Sequence, residues 1–324
     1  MRIHVESYAR LHLGFYTILS DEVAYGSIGL TIDNPKVIVD VKRSKRTEIR
    51  DLTGTGAKRD AEEVAKLLGL TGEINILSGI PRHVGLGSTT QLKLSIAYAL
   101  TRVYGLKRSI LKLAFITGRG IVSGIGIASF RHGGFILDSG RLPIGNKIHK
   151  PRSPSDIPRA MLRMAIPKTW RFIVAIPKGI RGLNERQETP ILETPASKGR
   201  IEHELHDTVL LHMLPALARG DARRFGKALT KLQLLVGEYF SSFQGGKFCC
   251  WETEEIVKSL IEGGAYGAGQ SSWGPTAYGL TEGAKKARRL LDYIIKSSDK
   301  MGIESEIFIA KPRNRGFLCK IIET

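Results

Sequence analysis

Hydrophobic and polar positions follow two different patterns along this chain. Short alternating or apolar runs predict strands at residues 3–7, 36–42, 73–77, 134–138, 170–176, 304–310 and 316–322. Apolar positions spaced by three and four predict helices over 61–68, 88–104, 202–219, 221–240 and 254–262, and from Thr281 onward. Strands and helices are mixed without a regular alternation, which indicates an α+β fold rather than a doubly wound parallel sheet.

A change in composition near the middle of the chain predicts two domains. Residues 142–167 hold five of the 13 Pro and many Lys and Arg, so we interpret this segment as a link. A length of 324 residues also favours two domains. We therefore predict an N-terminal domain over residues 1–150 and a C-terminal domain over residues 151–324.

Neither a membrane-spanning helix nor a secretion signal is predicted. The closest apolar stretch, residues 113–130, is interrupted by Arg119 and by several Gly and Ser. The N-terminus lacks the apolar segment of a signal peptide, and the three Cys form no disulfide or zinc pattern. We expect a cytoplasmic protein without a membrane partner.

The strongest chemical signal is a Gly-rich turn between a predicted strand and a predicted helix. Gly85 and Gly87 allow a close backbone approach, and the hydroxyl residues that follow stand at the positive end of the helix. This arrangement is typical of an anion site, although a tight turn with a Ser N-cap is the alternative. The predicted phosphate-binding residues are Gly85, Leu86, Gly87, Ser88, Thr89, Thr90 and Gln91.

Two more segments combine glycines with hydroxyl residues. They cover residues 118–126 and 267–276. Each segment alone is typical of a tight connection between packed elements. Three such loops in one chain favour a ligand-binding cleft.

In this order, the three loops resemble those of the GHMP kinase superfamily, whose founding members phosphorylate galactose, homoserine, mevalonate and phosphomevalonate. The closer resemblance is to a non-kinase branch, the archaeal β-ribofuranosylaminobenzene 5′-phosphate synthases of methanopterin biosynthesis. It is carried by residues 9–12, 25–30, 85–91, 118–126, 130–135, 239–246 and 269–275. The resemblance implies a two-domain α+β fold with a ribosomal-protein-like N-terminal half and a ferredoxin-like C-terminal half.

The resemblance to the synthase branch also implies a reaction. Phosphoribosyl pyrophosphate would be joined to 4-aminobenzoate or 4-hydroxybenzoate, with loss of CO2 and pyrophosphate and with Mg2+ as cofactor. Arg10 and His12 would be catalytic and face the ribose phosphate or the aromatic acid. A surface ion pair for Arg10 and a core position for His12 are the alternatives.

The remaining expected site residues follow from the same resemblance. Ser88 and an acid of the segment around Glu185 and Glu188 would hold the metal, with Glu185 as the predicted ligand. Trp273 would either stack on an aromatic substrate or belong to the core. The residues expected to bind substrate are Ser27, Arg119, Ser123, Gln270, Ser271 and Ser272.

Three departures from family patterns leave other functions open. Kinases of this superfamily carry an acceptor-facing Asp where this chain has Gly126, which argues against a small-molecule kinase. The synthase branch carries an Asp at the position of Thr17 and an Arg near Val23, and both are missing. A divergent paralogue with changed or lost activity is therefore a further alternative.

The charge of the chain adds a rival class of partner. It has 49 Lys and Arg against 31 Asp and Glu, a formal net charge of +18. Such an excess favours an anionic partner. The basic clusters are scattered and lack interleaved aromatic residues, so the sequence does not favour nucleic acid, which remains the non-enzyme alternative. The sequence leaves a homodimer open.

Overall fold

The computed structural model describes residues 1–145, 147–183, 185–196 and 199–323. The strands are β1 (Arg2–Leu19), β2 (Ala24–Lys42), β3 (Glu48–Asp51), β4 (Glu73–Ser78), β5 (Phe135–Asp138), β6 (Ala160–Met164), β7 (Trp170–Pro177), β8 (Gly267–Gln270), β9 (Ala277–Glu282), β10 (Ser305–Ala310) and β11 (Leu318–Ile322). The helices are α1 (Lys58–Leu68), α2 (Ser88–Val103), α3 (Ile110–Ile116), α4 (Ile125–His132), α5 (Glu185–Leu192), α6 (Gly199–Asp207), α7 (Leu214–Arg219), α8 (Ala222–Gln244), α9 (Trp251–Glu262) and α10 (Ala284–Met301).

A long hairpin of β1 and β2 forms the centre of the first sheet. The sheet has seven strands in the order β11-β1-β2-β4-β3, with β5 paired to β2 and β6 paired to β5. Residues 3–7 alternate between buried and half-buried positions, as predicted, whereas residues 11–15 and 24–32 are buried without interruption. A strand buried on both faces shows no alternation, so the sequence did not predict the part of the hairpin near its turn, to which these two stretches belong.

The first sheet also takes strands from beyond the predicted domain boundary. β6 lies inside the segment interpreted as a link, yet it pairs with β5 through Leu137↔Leu162. β11 returns from the end of the chain and pairs with β1 through Val5↔Cys319. The sheets therefore do not divide the chain at a single position, and the boundary between residues 150 and 151 stays a prediction.

The second sheet confirms the ferredoxin-like half. Its four antiparallel strands have the order β10-β7-β9-β8. This is the strand order of a split βαβ unit. Helices α9 and α10 cover one face through a core that includes Ile173, Leu260 and Ile294. Helix α8 contacts both β8 and β1, so it lies between the two sheets.

Most predicted helices are present, but the predicted start of the last helix is wrong. Helix α2 has the predicted bounds to within a residue. Thr281 does not begin a helix, because it pairs with Arg171 in the sheet and α10 starts only at Ala284. The predicted helix over 202–219 is a succession of α6, a π-helical turn at Thr208–Met213 and α7. None of the described helices is long and apolar enough to cross a membrane.

Candidate active site

The Gly-rich turn before α2 opens into a cavity of about 680 Å³. Gly85 and Gly87 adopt left-handed backbone conformations, with φ of +87° and +81°, which glycine adopts without strain. The backbone hydrogen bond from Gln91 N to Gly87 O, 3.1 Å, starts the α2 ladder. The N–H groups of the three preceding residues therefore have no partner within the helix. Among the predicted phosphate-binding residues, the cavity wall includes Gly85, Gly87, Ser88, Thr89 and Thr90.

This turn is locked against the C-terminal Gly-rich loop by direct backbone contact. A Cβ atom on Gly85 would lie 2.0 Å from the carbonyl oxygen of Ser271, and one on Gly274 would lie 2.1 Å from the carbonyl carbon of Val84. The hydroxyls of Ser271 and Thr276 donate to the carbonyls of Gly85 and Val84, at 2.7 Å and 2.5 Å. The two halves of the chain thus meet at the cavity.

Backbone strain is concentrated around this contact. His83 and Ser272 are two of the three described non-glycine residues with left-handed backbone, each with a φ of +57°. Both line the cavity. Such conformations persist only where surrounding contacts impose them, and they are frequent at functional sites.

Arg10 projects from β1 onto the Gly-rich turn. Its Nη1 donates to the carbonyl of Gly85, and its backbone N–H donates to Leu86 O at 3.2 Å. Its Nε is buried without a hydrogen-bond partner among the described residues. Burial lowers the pKa of Arg10 to about 10 while the charge of Glu188 raises it, so Arg10 stays charged at neutral pH. The structure places a fixed cation in the cavity wall.

His12 lies two residues further along β1, is 6% exposed and also lines the cavity. Its Nδ1 accepts a hydrogen bond from Gly14 N at 3.3 Å, which leaves Nε2 as the N–H donor of the neutral ring. Burial, together with the charge of Arg10, lowers the pKa of His12 to about 3. His12 is therefore a neutral hydrogen-bonding group at physiological pH.

The buried His12 should make stability depend on pH. Its folded pKa of about 3 lies below the ordinary value of 6.5, so the unfolded chain binds the extra proton as pH falls. The contribution of this ring is complete above about pH 6.5 and decreases by about 1.4 kcal/mol per pH unit below it. We expect wild type to lose about 2 kcal/mol more than His12→Gln between pH 6.5 and pH 5, measured by urea unfolding. Equal losses of unfolding free energy in the two proteins would contradict the lowered pKa of His12.

A wall of aromatic side chains faces the same cavity. The rings of Phe15 and Phe240 lie 5.9 Å apart between centroids, and those of Phe240 and Trp273 lie 4.7 Å apart. Trp273 is only 8% exposed, so it belongs both to the core and to the wall. Phe240 stands on one helical face of α8 whose cavity-lining members are Gln233, Val236, Gly237, Phe240 and Gln244.

The rest of the wall is basic. Among the described residues, seven Lys and Arg side chains line the cavity, against three carboxylates. Lys93 on α2 and Arg82 share the carboxylate of Asp60, with N–O distances of 3.8 Å and 2.5 Å. The sequence analysis assigned no role to either cation, although Arg82 stands only three residues before Gly85. Lys93 follows Thr89 and Thr90 by four and three residues on α2, a spacing that places it on the same helical face and would have indicated it.

Several predicted site residues lie behind the cavity wall. Gln91 Nε2 donates to the carbonyl of Gly126 at 2.9 Å and joins α2 to α4. Leu86 and Ser271 are fully buried. Ser27 is also fully buried, and its N–H donates to a carboxylate oxygen of Asp138 at 2.8 Å. These residues support the loops and do not line the cavity.

The other predicted substrate-binding residues do line the cavity, namely Arg119, Ser123, Gln270 and Ser272. Gln270 holds the C-terminal loop in shape, because its Nε2 donates to Ser272 O at 2.8 Å and its Oε1 accepts from Cys249 N at 2.7 Å. The side chain of the predicted metal ligand Glu185 lies outside the described residues. Glu188, one turn further along α5, lines the cavity. The roles of these residues stay predictions.

No acid occupies the position of the kinase base. A Cβ atom on Gly126 would already lie 3.1 Å from Thr90 Cγ2, so a larger side chain has little room. The nearest downstream Asp is Asp138, which accepts backbone N–H groups of Gly124 at 2.6 Å and Gly140 at 3.0 Å. Burial raises the pKa of Asp138 to about 6. Asp138 is not part of the cavity wall and organises backbone instead.

Thr17, where the resemblance implied an Asp, contacts a carboxylate instead. The Thr17 hydroxyl donates to the carboxylate of Glu202 at 3.0 Å, and the N–H groups of Ile18 and Leu19 donate to the same carboxylate. Glu202 therefore ties α6 to the end of β1. Thr17 does not line the cavity.

Comparisons with known proteins agree with this fold. Residues 56–134 match the family described as GHMP kinases N terminal domain, and residues 213–299 match GHMP kinases C terminal. Solved structures with a similar fold include a homoserine kinase from Cytophaga hutchinsonii, with a TM-score of 0.72, 18% identity and coverage of 98% of this chain and 97% of that one. The Lactococcus lactis galactokinase has a TM-score of 0.70, 12% identity and coverage of 98% and 95%.

Sequence relatives are closer. A β-ribofuranosylphenol 5′-phosphate synthase of Methanothermobacter thermautotrophicus is 31% identical, over 85% of this chain and 87% of the relative. A protein of the same name from Archaeoglobus fulgidus is also 31% identical, over 90% of each chain. The chain therefore belongs to the family of the β-ribofuranosylphenol 5′-phosphate synthases, within the GHMP kinase superfamily.

Proposed function

We propose that this protein is a β-ribofuranosylphenol 5′-phosphate synthase that joins phosphoribosyl pyrophosphate to 4-hydroxybenzoate and releases CO2 and pyrophosphate. The observation that carries the proposal is the two-sided cavity. One side is basic and includes the N-terminus of α2, and the other is formed by Phe15, Phe240 and Trp273. A phosphorylated sugar and an aromatic acid match these two sides.

The balance of the reaction explains why the site needs no strong base. The bond from ribose C1 to pyrophosphate breaks, and its electron pair leaves with pyrophosphate. The ring carbon that carries the carboxylate forms the new bond to C1, and the bond to CO2 returns its electron pair to the ring. Because CO2 leaves in place of a proton, Gly126 and a neutral His12 suit this chemistry.

The groups on the basic side would stabilise the leaving pyrophosphate. The N–H groups of Ser88, Thr89 and Thr90 and the fixed charge of Arg10 are donors in a partly water-excluded cavity. Donors held in place before the reaction stabilise charge as it develops. The aromatic ring of the acid would pack against Phe240 and the neighbouring rings.

We also propose Mg2+ as the cofactor, held by the Ser88 hydroxyl and an acid of α5. Glu188 and the hydroxyls of Ser88 and Thr89 place hard oxygen donors in the cavity wall, as Mg2+ prefers. Within the described part of the chain, no group of three or more His, Cys, Asp or Glu is arranged to hold a metal ion. That fits an ion which takes its other ligands from phosphates and water. When bound, it would offset the charge of pyrophosphate.

The test is release of labelled CO2 from carboxyl-labelled 4-hydroxybenzoate with phosphoribosyl pyrophosphate and Mg2+, without ATP. We expect CO2 and pyrophosphate in equal amounts. A parallel assay with 4-aminobenzoate defines the acceptor. Absence of CO2 with both acids would contradict the proposal, and ATP-dependent phosphorylation of a small molecule would favour the kinase alternative.

A further inference from the structure

One cation of the cavity wall, Lys247, lies on the same side of the cavity as the aromatic residue that α8 contributes to it. Arg82 and Lys93 are paired with Asp60, and Arg10 is bound to the Gly-rich turn. Lys247 belongs instead to the turn that follows α8, and its side chain is exposed while lining the cavity. In the part of the chain that the structure describes, no carboxylate lies within salt-bridge distance of Lys247.

Two other cations of the cavity wall also have no carboxylate within salt-bridge distance among the described residues, but they belong to other elements of the fold. Arg59 is on α1, next to Asp60 in sequence, the residue that pairs with Arg82 and Lys93. Lys150 follows His149, whose carbonyl accepts a hydrogen bond from Arg141 at 2.7 Å, and Arg141 also donates to Ile121 O in the middle Gly-rich loop. Lys247 is thus the described cation that belongs to the α8 side of the cavity.

The backbone at Lys247 is fixed against the cavity face of α8. Gly245 ends the helix with a φ of +77°. Gln244 Nε2 then donates to Lys247 O at 3.0 Å. A Cβ atom on Gly237 would lie 2.4 Å from the same carbonyl oxygen, so the turn packs directly on the helix. Gly237 and Gln244 stand on the same face as Phe240, and the base of the Lys247 side chain is therefore held close to the aromatic wall.

We propose that Lys247 binds the carboxylate of the aromatic acid. Lys247 would thereby determine the preference for a carboxylated acceptor over a neutral one, an inference that rests on the proposed function. A ring packed on Phe240 brings its carboxylate to the α8 side of the cavity, where Lys247 is the described cation without a carboxylate partner. The negative charge of this carboxylate disappears as CO2 forms. A contact with Lys247 is therefore stronger in the bound substrate than in the transition state, so its removal should raise KM without lowering kcat.

The experiment compares Lys247→Gln with Lys227→Gln, an exposed Lys on α8 outside the cavity wall. We expect Lys247→Gln to raise KM for 4-hydroxybenzoate about ten-fold, the loss of one charge-assisted contact. KM for phosphoribosyl pyrophosphate should not change, and kcat should not fall. Lys247→Arg should keep most of the affinity, and Lys227→Gln should behave as wild type.

Calorimetric binding of 4-hydroxybenzoate and of the neutral analogue 4-hydroxybenzamide separates this inference from the proposed function. Wild type should prefer the acid, and Lys247→Gln should lose that preference while binding the amide unchanged. An unchanged preference, or an equal loss for both ligands, would overturn the role of Lys247. If wild type binds the acid with this preference but releases no CO2, only the proposed function fails.

Discussion

Replacing Arg10 with Ala is expected to lower kcat/KM for CO2 release by about 100- to 1000-fold, the usual effect of removing one preorganised donor from a developing anion. Arg10 remains charged at neutral pH and has a buried Nε without a partner among the described residues. Its effect should appear in kcat, since pyrophosphate gains charge as it leaves. Steady-state rates with both substrates measure this change.

Two further variants test whether the geometry of Arg10 or only its charge matters. Arg10→Lys keeps the charge but loses the planar fork, so we expect partial recovery of the rate. Arg163 is a matched control, because it also donates to a backbone carbonyl, Gly133 O at 3.1 Å, but lies outside the cavity wall. Normal activity in Arg10→Ala, or an equal loss in Arg163→Ala, would refute the assignment.

Gly85→Ala is expected to destabilise the protein by about 2–5 kcal/mol and to abolish activity. The added Cβ would lie 2.0 Å from Ser271 O, where backbone has to move. Such overpacking contributes about 1–3 kcal/mol. The left-handed φ of +87° adds roughly 1–2 kcal/mol for an L-residue. The midpoint of urea unfolding, together with the CO2 assay, measures both effects.

Gly105→Ala separates the effect of the steric overlap from the effect of the left-handed backbone. Gly105 also has a left-handed backbone, with a φ of +68°, but a Cβ there meets no atom within 4 Å. We expect a loss of roughly 1–2 kcal/mol and normal activity. If Gly85→Ala were no more destabilising than Gly105→Ala, the close contact between the two Gly-rich loops would not hold the protein together.

The sequence by itself determined the fold class, the family and the position of the Gly-rich turn before α2. Helix α2 was predictable because its apolar spacing and the glycines before it are local features. Arg10 and His12 were indicated by the family resemblance and not by a strand pattern, because the predicted strand ended at Ser7. The buried half of the β1–β2 hairpin escaped prediction, since a strand covered on both faces carries no alternation.

Only the tertiary structure decided which side chains of each motif face the cavity. Gln91 and Ser271 belong to predicted motifs but turn toward backbone carbonyls. Phe240 and Lys247 line the cavity because α8 lies between the two sheets. That position depends on contacts such as Gln233 Nε2 to Leu13 O, across 220 residues of chain. Periodicity reports that a face is buried, but the element packed against it is set by contacts far apart in sequence.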